Sequence, residues 1–394
     1  MADNSKLFEK YKLNNNVEVP GRLVIPPLTL ISSNQDGTIN KDEAKYLSAR
    51  AKDIGLYILG AEAVNQEGIA FPNQPRIYSE NDIESNKERA KIIKSQGALA
   101  INQIHHGGYL AKKMFSGLPP VVPSAEIANE ILKKSGEEPI AREFSDSDIK
   151  KTIEDFAKAT EMSIKTGYDG IEIHGANNYL LQQFYSAYTN RRTDEWGGSD
   201  EKRMNFPLKV LDACCKVREK CKRPDFIIGY RLSPEEPFEN GITMTETIKL
   251  VKELIKRPIQ FIHISQKNYF QETRRGEGSG IPRLQVIHEI TKGKVALIGV
   301  GGLRTQSDFT KAINSGYSEF IAAGVSNMIN KDLGTLLKEN KGDKLEIELD
   351  PEHPERYEMG DTIWNFCLSD KSPDFFPPVK GKNKEKVKLN DLIS

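Results

Sequence analysis

The chain has 394 residues, with 56 basic and 56 acidic side chains and a formal charge of zero. That balance argues against an overall nucleic-acid or membrane-surface footprint, and no apolar run approaches the ~18 residues of a membrane span. A hydrophobic share of 38% with 28% charged residues describes a soluble globular protein with ample core material. The opening residues, Met1 to Lys6, lack an apolar signal core, which predicts a cytoplasmic protein. Cys214, Cys215, Cys221 and Cys367 show no C-x-x-C spacing, so reduced thiols in helix packing are expected and no metal site is.

Short apolar runs alternate with longer amphipathic ones. The strands expected in chain order are Arg22–Leu28, Leu56–Val64, Gly97–Ile104, Gly170–Ala176, Phe226–Leu232, Phe261–Ser265, Val295–Val300 and Glu319–Ala323. Most are continuous runs, as strands buried on both faces require. Between them the spacing predicts helices near Lys41–Ile54, Asp82–Ser95, Asp200–Lys222, Thr245–Lys256, Pro282–Thr291 and Thr305–Ser315. A further helix begins at Ser145-Asp-Ser-Asp148, a capping-box pattern, carries Ile149, Ile153, Phe156, Ala157 and Ile164 on one face, and stops at Gly167. Strand–helix units repeated in this way predict a (β/α)8 TIM barrel.

The barrel is expected over residues 21–330, after an N-terminal arm of residues 1–20. Residues 105–144, with Gly107-Gly108 and Pro119-Pro120, interrupt the repeat after the third strand and predict an insertion or lid at the barrel rim. Residues 331–394 form a C-terminal extension, and Lys380, Lys382, Lys384, Lys386 and Lys388 read as a solvated tail.

Barrel enzymes place their chemistry at the C-terminal ends of the strands. Those ends here are Pro26-Pro27-Leu28-Thr29, Gly60-Ala61-Glu62, Asn102-Gln103, His174-Gly-Ala-Asn177-Asn-Tyr179, Tyr230-Arg231, His263-Ile-Ser265, Gly299-Val-Gly301-Gly302 and Ala323-Gly324. Hydrogen-bonding side chains converge on one rim, with His105 or His106 a further candidate. Gly301, Gly302 and Gly324, after the last two strands, predict a phosphate site, because glycine lets backbone amides approach an anion closely.

The block Ile171-Glu-Ile-His-Gly-Ala-Asn-Asn-Tyr-Leu-Leu-Gln-Gln-Phe184, followed by Thr189-Asn-Arg-Arg-Thr-Asp-Glu-Trp-Gly-Gly-Ser199, resembles the old yellow enzyme family, also called NADH:flavin oxidoreductases. Gly229-Tyr-Arg-Leu-Ser233 and Ile298-Gly-Val-Gly-Gly-Leu-Arg-Thr305 match in the same order, and the resemblance runs from about Arg22 to Asn330. It implies an FMN-binding barrel that uses NAD(P)H to reduce activated alkenes, such as α,β-unsaturated aldehydes and ketones. By the same resemblance, Pro26, Pro27, Leu28 and Thr29 would lie along the flavin ring and Ala61 would allow close backbone approach. Gln103 would pair with the pyrimidine edge, and Arg231 would place positive charge where reduction builds negative charge. His174 and Asn177 would hold the substrate carbonyl oxygen, and Tyr179 would protonate the α-carbon.

Some positions depart from the family pattern. Val325 follows Gly324 where relatives carry an arginine on the FMN phosphate, which implies a weaker hold on that group. Asn178 replaces a glycine, and Glu62 is expected to bring negative charge near the site and disfavour anionic substrates. The absence of a strand-linked G-x-G-x-x-G implies that the nicotinamide shares the flavin face with the substrate, in alternating half-reactions. The rival readings are a flavin-free phosphate-binding lyase or isomerase, and a catalytically retired barrel that binds a ligand or protein. The expected partner is a small molecule; oligomeric state stays open.

Overall fold

The computed structural model describes residues 4–370, 372–373 and 376–382. Eight parallel strands close a barrel: β1 (Leu23–Ile25), β2 (Leu56–Ala63), β3 (Leu99–His105), β4 (Gly170–Gly175), β5 (Ile227–Leu232), β6 (Phe261–Ile264), β7 (Ala296–Val300) and β8 (Phe320–Ala322). Each pairs with its chain neighbour, and β8 closes onto β1 through Ile321–Leu23 and Ala322–Val24. β1 is shorter than its apolar run because Pro26 and Pro27 have no N–H to give to a ladder. The β2–β3 pairing shifts register between Leu59 and Glu62, at Gly60-Ala61.

Alternate residues of a barrel strand point inward. Val24, Leu56, Ile58, Ile101, Ile227, Phe261, Ala296, Ile298, Phe320 and Ala322 form a separate apolar plug, to which Leu13 and Val19 of the N-terminal segment also belong. That segment folds as a small antiparallel ribbon, Tyr11–Lys12 against Glu18–Val19. Gly229 makes room in the plug: a Cβ there would fall 2.1 Å from the Phe261 ring.

The outward residues pack under helices α1 (Lys41–Ser48), α2 (Ile83–Lys94), α3 (Asp146–Lys165), α4 (Asp200–Lys220), α5 (Met244–Leu254), α6 (Arg283–Thr291), α7 (Gln306–Ser315) and α8 (Leu333–Lys338). The caps explain several of these boundaries. Ser145, Thr243 and Thr305 each accept a backbone N–H of the first turn, and an acidic residue three positions on accepts the cap residue's own N–H. α1 stops before its predicted end at Ile54. There Arg50 turns inward, its guanidinium 3.8 Å from the Tyr46 ring centroid, and donates to the backbone oxygens of Tyr46 and Tyr357.

The segment between β3 and α3 has its own small core of Tyr109, Val122, Ala128, Ile131, Leu132 and Ala141. It carries a helix at Ala125–Lys134 and pairs Val121–Val122 in parallel with Arg142–Glu143. Part of the C-terminal extension packs on the barrel: Leu349, Tyr357, Ile363 and Cys367 are buried in the main core. Lys380 and Lys382 are exposed; Lys384, Lys386 and Lys388 lie outside the described residues. No helix among the described residues is long and apolar enough to cross a membrane.

Candidate active site

Above the apolar plug, Gln103, Glu172, Arg231 and His263 form a buried polar layer on four neighbouring strands. Gln103 Nε2 donates to Glu172 Oε1 at 2.7 Å, and His263 Nδ1 lies 2.8 Å from Glu172 Oε2. A carboxylate only accepts, so Nδ1 carries the imidazole proton and Nε2, buried without a partner, is left as an acceptor. Burial pushes His263 below the usual histidine range, which keeps it neutral. Arg231 Nε is also buried without a partner among the described residues, on a side chain that carries a permanent charge.

His174 and the turn after β4 build a second group. His174 Nδ1 accepts from Ala176 N at 3.3 Å, which places the ring proton on Nε2. Burial, helped by His105 and Arg231, holds this ring well below the usual range and neutral. Asn177 and Asn178 both take left-handed backbone, with φ of 56° and 59°. Asparagine tolerates that region better than most residues, so the turn forms here without a glycine at position 178. It also exchanges hydrogen bonds with Gln182: its N donates to Oε1 at 3.1 Å and its Oδ1 accepts from Nε2 at 2.8 Å. Asn177 Oδ1 accepts from Ser265 Oγ at 2.7 Å and from Ser233 Oγ at 3.3 Å. The amide oxygen is thereby occupied, and the NH2 group is the part left for a ligand. Tyr179 packs edge-on against His105 and His174, with ring centroids 4.3 and 4.8 Å away. Burial raises its phenol above the usual value.

His105 joins this group and His106 does not. His105 Nδ1 lies 3.2 Å from Gln74 Nε2, which also donates to Ala61 O at 3.0 Å. The same glutamine ties Ala61 to the aromatic group. His105 Nε2 is buried without a partner, and burial lowers the ring to about 3. His106 is turned toward Phe144 and closely covers Gly68, where a Cβ would fall 2.9 Å from its ring. Sequence reasoning named neither Glu172 nor Gln74, and treated His263 only as a strand end. Parity along β4 was the available signal for Glu172, since it shares the inward face with His174.

The segments expected to meet the ring and the phosphate are placed as follows. Pro26 and Leu28 lie against Gly324, where a Cβ would sit 3.3 and 3.2 Å from their side chains. Pro27 and Ala61 are buried, and Thr29 is half-buried. Gly301 and Gly302 have φ of 132° and 68°, backbone that favours glycine, and a Cβ on Gly301 would fall 2.7 Å from Asn268 N. Val325 opens the short helix Val325–Ile329 and packs against the apolar core, contributing no charge. Arg304, half-buried, makes no side-chain hydrogen bond or ion pair among the described residues, and burial lowers its pKa.

Glu62 corrects one expectation. Its carboxyl points into the helix-facing layer, where it accepts from Asn102 Nδ2 at 3.1 Å and from Tyr168 OH at 3.3 Å. Asn102 itself donates to Ser163 on α3. Burial raises Glu62 to about 8, so the group is mostly neutral at pH 7 and puts no charge beside His174.

Residues 6–344 match the NADH:flavin oxidoreductase / NADH oxidase family. The chain is 36% identical to a probable NADH-dependent flavin oxidoreductase, YqiG, of Bacillus subtilis (strain 168), over 92% of this chain and 96% of that one. It is 33% identical to the NADH:fumarate oxidoreductase of Klebsiella pneumoniae (strain 342) over 93% of its own length, but spans only 39% of that protein. The fold superposes on an old yellow enzyme homologue from Zymomonas mobilis with a TM-score of 0.74 and 25% identity, covering 90% of this chain and 98% of the other. It also matches morphinone reductase in complex with tetrahydroNAD, with a TM-score of 0.70 and 25% identity, over 85% and 90% of the two chains.

Proposed function

The chain belongs to the NADH:flavin oxidoreductase / NADH oxidase family, with FMN as cofactor and NAD(P)H as reductant, and on that premise we propose that it reduces activated alkenes, α,β-unsaturated carbonyl compounds in particular. The observation that carries this reading is the set of donors beside the polar layer that no described residue engages. His174 offers Nε2–H and Asn177 offers its NH2, while their other polar atoms are held by Ala176, Ser233 and Ser265.

The residues present fit a flavin at the ring end, where the buried Nε of Arg231 has no protein partner. Pro26, Pro27, Leu28, Thr29 and Ala61 would line the ring, with Gln103 and Arg231 at its pyrimidine edge. The amides of Gly301, Gly302 and Gly324 would meet the phosphate, with Val325 adding no charge. FMN, when bound, supplies the hydride that the alkene β-carbon receives.

The protein's own work follows from its donors. His174 and Asn177 hydrogen-bond the substrate carbonyl oxygen and stabilise the negative charge that grows there as the β-carbon accepts hydride. Both donors are neutral, so they polarise the carbonyl without giving up a proton. Tyr179 then protonates the α-carbon. A phenol held above its ordinary pKa stays protonated through the working range and yields its proton only to a stronger base, such as the enolate carbon. Solvent returns the proton. NAD(P)H and alkene use the same donor-lined face in turn, which accords with the lack of a separate dinucleotide motif in the sequence.

Family membership displaces the flavin-free lyase or isomerase and the retired barrel. The test is anaerobic: NADH or NADPH should bleach the yellow colour of the purified protein, and 2-cyclohexenone should restore it. A protein that bleaches but is not reoxidised by any enone or enal would sink the alkene reading while leaving the oxidoreductase assignment intact.

A further inference from the structure

We propose that Glu172, held by His263, is a positioning residue that decides which end of the Gln103 carboxamide meets the flavin and that supplies the counter-charge to Arg231. The inference rests on the placement of Gln103 and Arg231 at the pyrimidine edge given above.

A carboxamide has two ends of nearly equal shape and opposite hydrogen-bonding character. Its orientation is set by its neighbours. Gln103 Nε2 donates to Glu172 Oε1 at 2.7 Å, and an ionised carboxylate offers no donor to hold the amide the other way round. Oε1 of Gln103 is therefore the end left for the ring, where it matches the imide N3–H and repels the ring carbonyls. His263 completes the lock. Its Nδ1–H occupies Glu172 Oε2 at 2.8 Å, so both carboxylate oxygens are taken by donors and the carboxylate is tied on two sides. All three side chains are at most 1% exposed, so water cannot substitute for either bond.

The same carboxylate balances charge. Arg231 sits one strand away, paired with His174, and its buried Nε meets no hydrogen-bond partner among the described residues. In a layer this dry, the negative charge of Glu172 offsets that of Arg231 before any ligand arrives. Removing it would leave Arg231 free to favour the electron-rich form of the bound ring.

Glu172→Gln keeps the shape and reverses the logic. His263 Nδ1–H still needs an acceptor and takes the new amide oxygen, which turns the new NH2 group toward Gln103. Gln103 must then flip and present its own NH2 to the ring. FMN affinity should fall about tenfold in Glu172→Gln, consistent with one mispaired buried hydrogen bond. In a Gln103→Ala background the same change should cost about twofold or less, because the group it acts through is gone. The midpoint potential of the bound flavin should rise in Glu172→Gln, by roughly the 30 mV that a tenfold change in the ratio of reduced to oxidised affinity represents for a two-electron couple. Equal losses of FMN affinity in both backgrounds, or a potential that stays level or falls, would overturn the proposal. A measurement on the unaltered holoenzyme stands independent of how the variants fold. FMN labelled with 15N at N3 should show a slowly exchanging N3–H by NMR, and rapid exchange with water overturns the orientation argued here. Alkene turnover enters none of these readouts, so failure of the alkene reading and failure of this one are separately visible.

Discussion

The Tyr179 ring meets the His105 ring edge to face, with centroids 4.3 Å apart and planes at 82°. Edge-to-face contact of this kind fixes a ring's position through packing rather than through its hydroxyl. The phenol of Tyr179 makes no hydrogen bond to a described residue, so its orientation is set without engaging the proton it would deliver. Replacing it with phenylalanine should keep the packing and remove the acid. Flavin reduction by NAD(P)H should be spared in Tyr179→Phe, because hydride transfer to the flavin needs no proton from the protein. Alkene reduction should slow by about 10²–10⁴-fold, the usual cost of losing a general acid. Stopped-flow traces that slow both half-reactions equally count against the assignment.

His174 and Asn177 should bind a phenolate through the donors that hold an enone oxygen. An electron-rich phenolate over oxidised FMN should produce a long-wavelength charge-transfer band. Changing either residue to leucine should weaken that complex by roughly 1.5–3 kcal/mol, the loss of a charge-assisted hydrogen bond. Unchanged titrations in both variants would move the substrate site elsewhere. Ser265→Ala should have a smaller effect in the same direction, since Ser265 acts by holding Asn177 Oδ1.

At the phosphate end, Val325→Arg should tighten FMN binding by restoring a charge-assisted contact to a group carrying close to two negative charges. Arg304→Ala should loosen binding, and that effect should shrink in high salt if the guanidinium acts across partly solvated space. Affinities from fluorescence titration decide both. No gain from Val325→Arg would mean that this side chain faces away from the phosphate.

Stability should depend on pH from two opposite directions. Glu62 is raised by burial from 4.5 to about 8, so the folded state holds a proton that the unfolded state releases. The contribution is present in full below the unfolded value and is lost as pH rises toward about 8. His105 and His106 are lowered by burial from 6.5 to about 3, so the unfolded state binds protons first and stability falls as pH drops through that window. Glu62→Gln should therefore raise the melting temperature more at pH 8 than at pH 5. Equal shifts at the two pH values would show that the carboxyl is ionised in the fold.

The sequence by itself determined the barrel and the composition of its rim. Continuous β-branched runs, capping residues such as Ser145 and Thr305, and prolines at the end of β1 act over a few residues of chain, and local physics suffices to read them. The cluster of His174, Asn177 and Tyr179 was legible for the same reason, since it lies within one turn after one strand. What only the tertiary structure decided was direction and pairing. Whether Glu62 faces the ligand or the helices depends on a register shift against β3, and it faces the helices. His105, on the Gln103 face of β3, meets Tyr179 and His174, and Gln74 from the loop after β2 reaches its Nδ1. Glu172 and His263 stand 91 residues apart and meet across the barrel interior, where β4, β5 and β6 bring their side chains to one level. Such contacts depend on the closure and stagger of the whole sheet, and no short stretch of chain encodes them.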